Sequence, residues 1–188
     1  MKYPKLLYDM ADGPPDWYTP KYIIDALGPF DTDPYSPLAR PFDTARIHYT
    51  EQDNGLCQPW IGSVWLNPPY NNIKPWMKAM ARHRNGIALV YNRLGRKWFD
   101  TWVMPYATGL RFVGTISFLT PDGKTKGKSP QPCVLVAYDP LDIGGGSLRN
   151  WTALRKCGLP GYYMDRLSNW FKDRKEWKLQ RQLRHDLK

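Results

Sequence analysis

Apolar residues fall along this chain in short runs, each ended by a polar, glycine or proline break. The run KYIIDALG, residues 21–28, has helical periodicity; Thr19 is placed to cap it, Pro20 to fill its first position and Gly28 to stop it. The step Phe30-Asp31-Thr32-Asp33-Pro34 predicts a first strand that runs into an acidic turn. Strands are predicted at 45–49 and 64–66, the latter broken at once by Asn67-Pro68-Pro69-Tyr70. A helix over 73–84, an apolar strand at 87–91 and a helix over 97–106 follow. Two further strands, 110–119 and 133–138, enclose PDGKTKGKSPQP, whose Gly, Lys and Pro content predicts a mobile loop. Strands that alternate with helices predict an α/β fold: a mostly parallel sheet flanked by helices, closed by an antiparallel hairpin at its edge.

With 188 residues and 42% hydrophobic content, the chain can build one domain with a real core but not two ordinary ones. The prolines and glycine of residues 1–16 predict an extended arm, and residues 17–140 the domain itself. The glycines at 144–146 predict a hinge within 141–188, whose last part, from about Ser168, is basic and helical in composition. Its bland reading is a solvated surface helix.

Charge adds a partner. Lys and Arg number 27 against 17 Asp and Glu, a formal net charge of +10, and the excess lies after residue 80. Such a balance favours a polyanion such as nucleic acid. Aromatics make up 14% of the chain, including nine Trp and twelve Tyr. Most fill a small core, and some are suited to stack on bases. Cys57, Cys133 and Cys157 form no CxxC pair and have no His at ligand spacing, so no metal site is expected. The sparse thiols, the absence of a signal-peptide core and the lack of an 18-residue apolar stretch predict a soluble, cytoplasmic protein.

Asn67-Pro68-Pro69-Tyr70, set directly after an apolar strand, carries the chemistry. It resembles the catalytic motif of amino-methyltransferases, in which Asp or Asn precedes Pro-Pro and an aromatic residue. An exocyclic amine is a poor nucleophile because its lone pair is delocalised into the ring. Acceptors aimed at its two hydrogens favour a pyramidal nitrogen and stabilise the positive charge that develops there. Asn67 offers a side-chain carbonyl and Pro68 a backbone carbonyl, and the two prolines hold these oxygens rigid. Tyr70 supplies a ring on which a flipped-out base can stack. The alternative is a proline-rich turn that happens to follow a strand.

The order of Asp16-Trp17-Tyr18-Thr19-Pro20, Asp31-Thr32-Asp33-Pro34-Tyr35-Ser36-Pro37, DNGL at 53–56 and the NPPY motif resembles the phage-type DNA adenine methyltransferase (Dam-like) family. The likeness is specific from Trp17 to Ala79 and continues more weakly through GTISF at 114–118 to Tyr138. It implies a Rossmann-like class I methyltransferase fold, S-adenosyl-L-methionine (AdoMet) as methyl donor, and the 6-amino group of adenine as acceptor. It further implies that Thr19 and Pro20 contact the methionine end of AdoMet, that Asp33 and Pro34 wrap the same moiety, and that Asp53 meets its adenine. DPYSP stands where most methyltransferases carry a glycine-rich FxGxG loop, so Asp31 and Asp33 also read as turn residues. The acid for the cofactor ribose has two candidates, Asp43 and Glu51.

No separate target-recognition domain fits within this length, so DNA contact falls to short elements. Lys124, Lys126 and Lys128 alternate with small residues and suit phosphate contact. Arg93 and Arg96 follow a strand that should end beside the site, and ordinary surface basicity is their other reading. Three rivals stay open from sequence alone: methylation of the cytosine 4-amino group, methylation of an RNA base amine, and a non-catalytic nucleic-acid-binding module that keeps the fold.

Overall fold

The computed structural model of the chain describes residues 18–140 and 148–165. The strands are β1 (Thr32–Asp33), β2 (Ile47–His48), β3 (Val64–Leu66), β4 (Gly86–Tyr91), β5 (Gly109–Gly114), β6 (Ser117–Leu119), β7 (Thr125–Lys128), β8 (Cys133–Tyr138) and β9 (Tyr162–Asp165). The helices are α1 (Lys21–Leu27), α2 (Ile73–His83), α3 (Lys97–Trp102) and α4 (Arg149–Lys156). Seven strands form one sheet in the order β2-β1-β3-β4-β8-β5-β9. The first four neighbours are parallel; β8 is antiparallel to both β4 and β5, and β9 is antiparallel to β5.

The central strands are buried on both faces, which is why they read as continuous apolar runs rather than alternating ones. Along one face Val64, Leu66, Ala88, Val90, Val134 and Val136 pack against α2 and α3 through Trp76, Met77, Met80 and Phe99. On the other, Trp65, Ile87, Leu89, Cys133 and Leu135 pack against α1 and α4 through Ile23, Ile24, Leu27 and Leu154. The result is a sheet between two helical layers, as the alternation of elements predicted.

Five expectations needed correction. The closing strands do pair antiparallel, but not at the edge: β8 inserts between β4 and β5, and β9 covers β5. The 110–119 strand is two. At Gly114 the backbone takes φ 69°, a conformation open to glycine, and the chain leaves the main sheet there for β6. The lysine-rich segment is no loop throughout: Pro121-Asp122-Gly123 makes a tight turn, with Gly123 N–H donating to Thr120 O at 2.8 Å, and β7 returns along β6. Helix 97–106 stops at Trp102. Finally, the N-cap of α1 is Pro20, not Thr19, and no side chain caps the helix.

The sheet also runs past residue 140. Buried Asp139 accepts from the N–H groups of Asn150 and Trp151 at 2.8 and 2.9 Å, satisfying the first turn of α4. Arg111 on β5 donates to Leu154 O, Arg155 O and Leu159 O at its other end. Helix α4 therefore packs on the core through Leu154, and β9 pairs with β5 at the edge of the sheet. The expected arm at 1–16, the glycine hinge at 144–146 and the helix from Ser168 lie outside the described residues.

Candidate active site

Parallel strands place their carboxyl ends on one edge of the sheet, and the singled-out residues of the N-terminal half gather there. Asp33 ends β1, Asn67 follows β3, and Tyr91 ends β4, with Arg93 two residues on. The buried Thr19, just ahead of α1, meets this edge directly: Asn67 Nδ2 donates to Thr19 Oγ1 at 3.4 Å. Thr19 thus serves the strand end rather than its own helix. Pro68 is buried, Asn67 and Pro69 are half-buried, and Tyr70 opens a single helical turn over Tyr70–Asn72 that leads into α2.

The ring of Tyr70 lies flat on that of Tyr91, with centroids 3.7 Å apart and planes 10° from parallel. Its hydroxyl oxygen is buried without a hydrogen-bond partner. Burial pushes that hydroxyl well above the usual tyrosine range, so it stays protonated.

Asp33 is 3% exposed. Its carboxylate accepts from the Thr44 hydroxyl and, at 3.2 Å, from Tyr35 N–H. Desolvation dominates all the same and raises its pKa to about 6; the Thr44 and Tyr35 bonds and the charge of Arg40 offset it only in part. Pro34 is buried behind it. A group whose folded pKa lies above its unfolded value contributes stability at low pH and loses it as pH rises through the folded pKa. Asp33→Asn should therefore gain stability over the parent above pH 6, by on the order of 2 kcal/mol, with the gain vanishing toward pH 4. Urea midpoints of the two proteins at pH 4.5 and pH 8 check this; a difference independent of pH would contradict it.

Asp53 lies in the helical turn Glu51–Asp53 after β2 and is exposed. Its Oδ2 accepts from Thr50 N–H at 2.8 Å and from the Thr50 hydroxyl at 2.7 Å, which holds the carboxyl below its ordinary pKa. The segment sits hard against the β1 turn, because Gly55 has no room for a side chain: a Cβ there would lie 1.8 Å from Pro34 O. Trp60 Nε1 fixes the same turn by donating to Gly55 O at 2.8 Å. Of the two ribose candidates, Glu51 follows the carboxyl end of β2, whereas Asp43 ion-pairs with Arg40 at 2.9 Å.

The β6–β7 hairpin is joined to the segment that leads into this edge. Tyr18 N–H donates to Leu119 O at 3.1 Å and Leu119 N–H to Tyr18 O at 2.9 Å, so the hairpin is tied to the residue before Thr19. It carries Lys124, Lys126 and Lys128, of which Lys124 pairs with Asp122 at 2.7 Å. Arg93 is half-buried and Arg96, ahead of α3, is exposed.

Sequence reasoning missed three residues here. Thr44 has no signal at all, since it reaches Asp33 across a loop. Gly55 was part of a quoted motif, but its steric role needs the neighbouring turn. Tyr91 carried a readable hint, an aromatic at the carboxyl end of an apolar strand.

Among the described residues no group of His, Cys, Asp and Glu could hold a metal ion, and no helix is long and apolar enough to cross a membrane. The family model for DNA N-6-adenine-methyltransferase (Dam) matches residues 10–158. The chain is 24% identical over 160 residues to the DNA N-6-adenine-methyltransferase of Haemophilus phage HP1 (strain HP1c1), an alignment that covers 74% of this chain and 87% of that protein. No solved structure matches the chain.

Proposed function

This chain belongs to the DNA N-6-adenine-methyltransferase (Dam) family, and from that premise we propose that the Asn67–Tyr70 turn is its catalytic centre. The enzyme methylates the 6-amino group of adenine in DNA; the cytosine, RNA and non-catalytic readings are not favoured. The observation that carries the residue assignment is the meeting of Asn67 with Thr19 at the carboxyl end of β3, beside the half-buried ring of Tyr70.

AdoMet, when bound, supplies the electrophilic methyl carbon. The residues present fit it: a buried carboxylate on Asp33, pushed up by desolvation, is stabilised by a cation such as the ammonium of a methionine moiety. Thr19, Pro20, Asp33 and Pro34 would hold that end, and Asp53 would meet the adenine. Asn67 Oδ1 and the Pro68 carbonyl accept the hydrogens of the target amine and steady the charge that grows on its nitrogen. Tyr70 stacks on the flipped base and fixes the plane of the amine. The strand order, with one antiparallel strand between two parallel ones, supports the Rossmann-like class I reading. We assign the enzyme to the cytoplasm, where its DNA substrate is found.

Incubation with tritiated AdoMet and DNA, followed by nucleoside mass spectrometry, tests the whole reading. Label in 6-methyladenine is expected; label confined to 4-methylcytosine would overturn it.

Arg93, Arg96 and the three hairpin lysines hold DNA through its phosphates. Neutralising phosphates releases counterions, so log affinity falls linearly with log salt. Replacing Lys124, Lys126 and Lys128 together by Gln should make that slope shallower by about one unit for each lysine that meets a phosphate. Binding should weaken alike on all sequences while the methylated base stays the same. A parent affinity that is flat between low and moderate salt would end this account.

A further inference from the structure

We infer that Tyr91 is a positioning residue for the target base: it braces Tyr70 from behind so that Tyr70 offers the flipped adenine one fixed face. This rests on Tyr70 being the base platform. Tyr70 sits on a single turn between two prolines and α2, a short support for a ring that must set the plane of an amine. Its hydroxyl is buried yet finds no hydrogen-bond partner, so no polar contact at the tip fixes the ring's rotation. What meets it face to face is Tyr91, at 3.7 Å and 10°.

Tyr91 is itself held firmly. It is 6% exposed and ends the central strand β4, which pairs with β8 over its whole length, Tyr91 opposite Cys133. The ladder continues one step beyond, where Asn92 N–H donates to Pro132 O at 2.8 Å. A ring on a strand paired on both sides thus covers one face of a ring on a short turn. Tyr91 is buried and Tyr70 only half-buried, so the accessible surface of the pair belongs mainly to Tyr70. An aromatic pair adds at most about 0.5–1.5 kcal/mol beyond burial, enough to favour one ring orientation but not to create a fold.

A residue that acts through Tyr70 must lose its effect when Tyr70 is gone, and a double-mutant cycle reads this directly. Tyr91→Leu should lower kcat by about 10-fold in the parent, with a smaller change in KM for DNA, and by less than about 2-fold in a Tyr70→Leu background. AdoMet affinity should not move. In a duplex carrying 2-aminopurine at the methylated adenine, Tyr91→Leu should alter the emission of the bound base, and Tyr91→Phe should restore both emission and kcat. If Tyr91→Leu does not fold, Tyr91→Met enters the same cycle. Losses of equal size in both backgrounds, or parental kcat in Tyr91→Leu, would overturn the role of Tyr91 alone. Parental activity in Tyr70→Leu would instead remove the platform reading, and the brace with it.

Discussion

Asn67→Ala should lose methyl transfer by about 10²-fold or more, while AdoMet affinity stays within a few-fold of the parent. In the proposed mechanism the amide carbonyl it removes is the acceptor for an amine hydrogen, and acceptors placed where charge develops act mainly on the transition state. The backbone carbonyl of Pro68 remains, so a residual rate is expected rather than none. The change also deletes the 3.4 Å bond to Thr19, which ties the strand end to the start of α1. Asn67→Asp separates the two effects. It keeps one oxygen to accept from the amine and puts a second where Nδ2 stood, able to accept from the Thr19 hydroxyl, and should retain much of the rate. Single-turnover kinetics with labelled AdoMet, beside calorimetric AdoMet titration, measures both quantities. Near-parental turnover by Asn67→Ala would remove Asn67 from the chemistry.

Gly55→Ala should be the most damaging small substitution in the site. Its methyl would stand 1.8 Å from Pro34 O and 2.8 Å from Pro34 C, atoms of the main chain that no rotamer change can clear. The two turns must separate, at a cost on the order of 2–4 kcal/mol. One of these turns carries Asp33 and Pro34 and the other Asp53, so AdoMet affinity should fall with the same substitution. Urea unfolding and calorimetry on Gly55→Ala check both parts. An unchanged unfolding midpoint would mean that the turns are not held against each other as described.

Much of the sheet was legible in the chain because its central strands are buried on both faces and must be apolar throughout. Residues 64–66, 87–91 and 133–138 could be read as strands from that run alone, and 73–84 as a helix from its apolar face. The lysine segment was misjudged on composition. Its Pro121-Asp122-Gly123 turn was a hairpin signal, but β6 and β7 have too little apolar alternation to announce themselves, and Tyr18 completes their support from about a hundred residues away. The packing of α4 was hidden for a related reason: the helix is held by the buried polar groups Asp139 and Arg111, which hydropathy reads as surface.

The site divides along the same line. Asn67-Pro68-Pro69-Tyr70 stands out in sequence because the chemistry proposed for it uses atoms of consecutive residues, on a turn that two prolines make rigid. The order of Thr19, Asp33 and Asp53 ahead of it is a feature of the sequence, and the cofactor contacts assigned to them are part of the proposal. What a chain cannot state is distance between its own remote parts. That Thr19 meets Asn67 instead of capping α1, that Thr44 bonds Asp33, that Gly55 closes on Pro34 and that Tyr91 lies under Tyr70 are consequences of how the connecting segments fold where the strands end. Parallel strands bring their carboxyl ends together whatever the spacing between them in sequence, so the tertiary structure alone decides which side chains become neighbours there.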